Sequence, residues 1–283
     1  MFEKSRPQRG VFTFIVLCFS WSWLALAVCY LWGIPQSNPI AQLLTMAFVP
    51  AITAVIVRSA ITREGFADAG LKPQFRTAWF YYVCAICLPL FSFSLYLFLA
   101  YLLGWWETAG DITADRVLSV IAMGSFSALP AAFLLFGEEF GWTAYLRDRL
   151  LPGRTTATTL LTGVIWGIWH MPLPWVGYSP TDLNTAEKMW LSLLWIPSCI
   201  LIEFLIGWLW NHSGSIWPSC ILHASLNLVQ GVGFTTLFLS AAPITSLMVL
   251  DCMTLVPFVL WVIYSDRQLK KRHVDLPLPY HRE

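Results

Sequence analysis

Hydrophobic residues in this chain are not spaced three or four apart, as on a helix with one buried face. They come in runs of about 20, the length of helix that crosses a bilayer. The runs predict helical spans over residues 11–32, 40–57, 78–103, 117–136, 156–171, 189–210, 215–234 and 244–264. The connections are short, no internal repeat stands out, and no linker is long enough to separate one domain from another. The expected fold is all-α, a polytopic transmembrane bundle of about eight helices. Along the chain it divides into N-terminal helices over 1–116, a core over 117–264 and a cytoplasmic tail over 265–283.

The fourth span has two readings. Pro130 removes a backbone donor and crowds the preceding turn, so a helix can end or begin there. If it begins there, the membrane segment runs 131–151 and ends at Pro152-Gly153, which puts Glu138 inside the bilayer. If the span is 117–136, Glu138 lies at its inner boundary.

Composition agrees with a membrane protein: 283 residues, 57% hydrophobic, 12% charged, mean hydropathy +0.64. Assigning loops alternately to two sides puts all but Arg116 and Lys188 of the 17 basic residues on one side, which predicts that both termini are cytoplasmic. The basic residues are thereby explained by topology, and the net charge of +1 gives no support to a nucleic-acid partner. The basic start and Ala25-Leu26-Ala27 imitate a cleavable signal, but the apolar run continues to Trp32, so an uncleaved first span is expected. The 7 cysteines fall inside predicted spans and read as small apolar residues, Cys84-x-x-Cys87 included.

Ionisable side chains within a membrane are costly unless they face the bundle interior and find partners, so each is a candidate for function. Glu138 and Glu139 sit in FGEEFGWTAYL, His170 ends GVIWGIWH, and His223 and Asn227 belong to HASLN. His223 and Asn227, four apart, share one helical face, as do Trp166 and His170. Glu138 and Glu139 are about 100° apart around a helix, so one is expected to face a site and the other to support it. Arg147 and Arg149 follow closely enough to neutralise the pair. Glu203 and Asp251 lack such company, and structural or boundary roles are expected for them.

Read together, GEEFGWTAYL, WGIWH and HASLN resemble, in order, the motifs of the CAAX protease and bacteriocin-processing family of intramembrane proteases, over about residues 134–228. Thr143 stands where that family usually has an arginine, and Ala144 where a glycine follows. The resemblance implies a protease core within 117–264, resembling type II CAAX prenyl endopeptidases. It further implies that Glu138 with His170 activates a water, that His223 with Asn227 forms an oxyanion hole, and that Glu139, Trp166, Arg147 and Arg149 support them. A carboxylate in a poorly hydrated site is moved toward the range useful for proton transfer. Two histidines and a glutamate (Glu138, His170, His223) would also make a catalytic zinc set, although no HExxH is present, and Zn²⁺ is left undecided. Ser225 points off the His223–Asn227 face and has no nucleophile elbow around it. The implied partners are a membrane-associated or lipidated peptide or protein substrate and the bilayer, with the cell membrane as location. The alternatives are a proton-coupled transporter or non-catalytic membrane partner, or a bacteriocin self-immunity protein.

Overall fold

A computed structural model describes residues 6–107, 111–178, 183–237, 239–240 and 242–272. Among the described residues there are nine helices, α1 (Arg6–Leu31), α2 (Pro39–Ile61), α3 (Phe75–Leu102), α4 (Ala114–Phe126), α5 (Ala128–Leu150), α6 (Thr155–His170), α7 (Thr185–Ser213), α8 (Trp217–Thr236) and α9 (Ile244–Arg272). Two short strands, β1 (Trp106–Glu107) and β2 (Leu239–Ser240), pair antiparallel between the helices. Every span expected from the apolar runs is helical, and the protein is an all-α polytopic membrane bundle. By length and composition 5 of the described helices can cross a membrane, or 6 if the α4–α5 pair, bent by 46°, counts as one span. The other two, α6 with 16 residues and α8 with 20, are shorter or more polar because they carry threonines, serines and the site histidines. The tail expected over 265–283 begins as the end of α9, and residues 273–283, including His281 and Arg282, lie outside the described residues, as does Lys4.

The bend falls at Ser127, between α4 and α5, just before Pro130. The boundary at residue 136 is thus corrected: the helix carrying the glutamates starts at Ala128 and runs on to Leu150, so Glu138 and Glu139 lie in its interior. Within it, Trp142–Arg147 winds as a π-helix, a form that often accompanies functional sites.

Two glycine pairs at four-residue spacing bring the site helices together. A Cβ on Gly137 or Gly141 would run into the α2 backbone at Ala47–Phe48 or Pro50, and one on Gly163 or Gly167 into the α7 backbone at Ile200 or Trp195–Ile196. Small residues at such positions let helix backbones approach closely where lipid gives no hydrophobic drive. Helix ends are fixed locally: Asn38 caps α2 through the Ile40 amide at 2.9 Å, and Asn184 with Glu187 forms a capping box on α7. Helix α8 lies against α3, α4, α5 and α7.

Below the site, buried charge ties the bundle together. The fully buried Arg58 on α2 donates to Asp68 Oδ1 at 2.7 Å, Gly65 O at 2.8 Å and the α5 carbonyl of Ala144 at 2.8 Å. Arg149 bonds Asp68 at 2.6 Å and Glu64 at 3.0 Å. Burial works against the charge on Asp68, but the hydrogen bond from Arg58 and the charge of Arg149 hold its carboxyl below the usual range.

Arg147, buried, pairs with Glu203 of α7 and donates to Thr159 of α6 at 2.6 Å. Breaking a buried pair strands the remaining charge at a cost of about 3–5 kcal/mol, whereas replacing both partners with apolar residues is often neutral. Glu203→Ala is therefore expected to lower the unfolding midpoint in detergent sharply, and Arg147→Met with Glu203→Met to recover most of it. Equal destabilisation by the single and double replacements would contradict the pairing argument.

Candidate active site

The glutamates separate as a 100° rotation requires. Glu138, 8% exposed, turns toward α6 and accepts from Trp166 Nε1 at 3.0 Å through Oε2. Glu139, 1% exposed, turns toward α8, where its Oε1 lies 2.8 Å from His223 Nδ1. Its Oε2 accepts from Thr143 Oγ1 at 2.6 Å. Threonine at the position of the family's arginine thus holds the second glutamate.

Both histidines are held through Nδ1, one by a backbone carbonyl and the other by a carboxylate. His170 Nδ1 lies 3.0 Å from the Trp166 carbonyl oxygen, and since a carbonyl only accepts, Nδ1 carries a proton; in the neutral ring Nε2 then keeps a lone pair. His223 Nδ1 donates to Glu139, so a proton on Nε2 as well makes that ring an imidazolium beside a carboxylate. Nε2 accepts in a neutral ring and donates in an imidazolium, and of the two rings only His223 has a carboxylate as its Nδ1 partner. Trp166 organises both, its carbonyl taking His170, its N–H going to Glu138, and its ring meeting that of His223 edge-on at 5.2 Å. The His170 ring stacks on Trp195 of α7 at 4.5 Å and 14°.

Glu138, Trp166, His170, His223 and Asn227 line one half-open cavity of about 250 Å³. Its other walls are mostly apolar: Pro39, Leu43, Met46 and Ala47 of α2, Leu134 and Leu135 of α5, Leu173, and Ile202 of α7. Asn227 is exposed, whereas both histidines are buried. Trp195, Cys199 and Tyr178 also line the cavity without having been singled out in the sequence. The Trp195–Cys199 spacing on α7 repeats that of Trp166–His170, but neither side chain is ionised or stands beside a motif. Cys199 Sγ lies 3.8 Å from His170 Nδ1. Ser225 is fully buried and is not part of the cavity wall.

Two expectations are corrected. Arg147 and Arg149 do not neutralise the glutamate pair; they stand roughly two helical turns or more beyond it, and Arg147 is committed to Glu203, and Arg149 to Glu64 and Asp68. Glu203 is accordingly not without company, and the structural role expected for it fits its pairing with Arg147. Asp251 accepts from Gln230 at 2.5 Å, away from the cavity.

Among the described residues no three His, Cys, Asp or Glu side chains come together to hold a metal ion. Glu138, His170 and His223 line the same cavity but do not converge on one point as a zinc set would.

Residues 117–229 match the family model of the Rce1-like type II CAAX prenyl endopeptidases, which bears out the resemblance seen in the three motifs. Over 114 residues the chain is 31% identical to a CAAX prenyl protease 2 from Methanococcus maripaludis. That similarity spans 38% of this chain and 42% of the relative, so the chain covers less than half the length of that protein. All the cavity groups from α5, α6 and α8 fall inside the matched segment.

Proposed function

We propose that this protein is an intramembrane endopeptidase that hydrolyses a peptide bond of a membrane-associated substrate. The observation that carries the proposal is one cavity lined by a carboxylate, two histidines held through Nδ1 and an amide, which can divide into acceptors, Glu138 and Nε2 of a neutral His170, and donors, His223 paired with Glu139 and Asn227. Peptide hydrolysis asks for both kinds of group, a base for water and a donor for the oxyanion.

In this mechanism a water sits between Glu138 and His170 Nε2. Glu138 takes one of its protons as the oxygen adds to the carbonyl carbon of the scissile bond. The carbonyl π bond breaks, and the oxyanion accepts hydrogen bonds from His223 Nε2–H and the Asn227 amide. Glu139 balances the charge of His223 and turns its ring. When the oxyanion collapses, the C–N bond breaks and Glu138 returns the proton to the leaving amine.

The mostly apolar walls suit a substrate with a lipid anchor near the scissile bond. Given the name of the relative, a prenylated CAAX peptide is the first substrate to try. Reconstituted protein is expected to cleave at least one member of a panel of prenylated and single-span peptides. Failure to cleave any of them would overturn the proposal and return the carrier reading.

The proposed location is the cell membrane, with both termini cytoplasmic. A cysteine introduced at Gln8 is expected to react with a membrane-impermeant maleimide only in inside-out vesicles. Labelling in intact cells would reverse the orientation.

A further inference from the structure

We infer that Thr143 is a positioning residue, acting through Glu139 to hold His223 with its Nε2–H turned to the cavity; the inference rests on the proteolytic reading of the site.

A buried threonine in a helix ordinarily donates back to the carbonyl four residues earlier. Thr45 does so to Ala41 at 2.8 Å and Thr159 to Thr155 at 2.9 Å. Thr143, fully buried, instead donates at 2.6 Å to the side chain of the residue four earlier, Glu139. It stands second in the π-helical turn Trp142–Arg147, where the ordinary i to i−4 ladder is interrupted. A hydroxyl bond to a carboxylate is charge-assisted and short, and it consumes Oε2, leaving Oε1 for His223.

Both carboxylate oxygens are thereby committed, and the orientation of Glu139 is set from its own helix while its function is exercised on α8. The donor on the helix side is neutral. Arg147, one turn on, gives its charge to Glu203. The group across from Thr143 on Glu139 is the His223 ring, and as an imidazolium, with a proton on both ring nitrogens, it is the cation directly bonded to the carboxylate. An Nε2 without a proton could not donate to an oxyanion. Thr143 thus makes no contact with substrate, and its effect is expressed through the charge and tilt of a ring across the helix interface.

The test compares Thr143→Val, which keeps shape and removes the hydroxyl, with Thr143→Ser, which keeps the hydroxyl. Thr143→Val is expected to lower kcat about tenfold, in line with loss of one hydrogen bond to a charged group, with KM within about twofold. Thr143→Ser is expected to recover most of that loss. Independently of activity, the Nδ1 resonance of His223 in ¹⁵N-histidine spectra of the detergent-solubilised protein, identified by its loss in His223→Gln, should move in Thr143→Val and not in Thr143→Ser. An unmoved resonance in Thr143→Val, or equal kcat losses in both variants, would overturn the inference. If the wild type cleaves no substrate, the proteolytic reading fails, and the spectra still decide whether Thr143 governs His223.

Discussion

Glu138→Gln is expected to lower the cleavage rate by about 10³-fold or more, while Glu139→Gln leaves measurable activity. A general base or acid contributes about 10²- to 10⁴-fold, and in the proposed reaction Glu138 serves as both, so its loss is felt in each half of the reaction. Glutamine matches the shape and can still accept from Trp166 Nε1, 3.0 Å from Oε2 in the native protein, so the site should stay assembled. In that reaction Glu139 meets neither water nor substrate. Its glutamine variant can still accept from His223 Nδ1 through its one amide oxygen, with its NH2 turned to Thr143 Oγ1, exchanging a charge-assisted bond for a neutral one. That exchange is worth about 1–2 kcal/mol, roughly 5- to 30-fold in rate. The measurement is single-turnover cleavage at matched expression, with intrinsic fluorescence as a folding control. The opposite ranking would reassign the base to Glu139 and remove the proposed mechanism.

Replacing Asn227 should have the next largest effect. Removing one oxyanion-hole donor typically costs about 100- to 1000-fold in kcat, because the donor meets charge that develops only in the transition state. Asn227→Asp retains the size of the side chain, loses the N–H donors and adds a repelling charge when ionised; Asn227→Ala loses the donors alone. Both are expected to cut kcat by that factor with little change in substrate binding. Because Asn227 is exposed, neither change strands a buried partner, and stability should hardly move. Undiminished cleavage would take Asn227 out of the reaction. A proton-coupled carrier would tolerate the new carboxylate and show an altered pH dependence of transport.

Most of the bundle is legible in the sequence because apolar length is a property of single segments. Spans such as Arg6–Leu31 and Phe75–Leu102 announce themselves without reference to any neighbour. The break at Ser127 is half visible, since Pro130 marks a discontinuity but does not say on which side the helix resumes. Side-chain pairing is the least legible. Arg147 is close to Glu138 and Glu139 in sequence, yet its partner is Glu203, 56 residues away along the chain on a different helix. Trp195 is hidden for a similar reason: its place against His170 depends on Gly163 and Gly167 letting α6 and α7 approach, a relation between two helices that neither sequence segment contains. The groups on α5, α6 and α8 are visible because polar side chains are conspicuous in a chain only 12% charged.

Hydrolysis of a prenylated CAAX peptide in H₂¹⁸O by the purified, reconstituted protein tests the central claim most directly. Mass spectrometry is expected to show one cleaved bond, with a single ¹⁸O in the new carboxyl group for the wild type and no product above background for Glu138→Gln prepared in the same way. Product of equal yield and label from Glu138→Gln would contradict the account, since the cleavage would then not come from the cavity that Glu138, His170, His223 and Asn227 line.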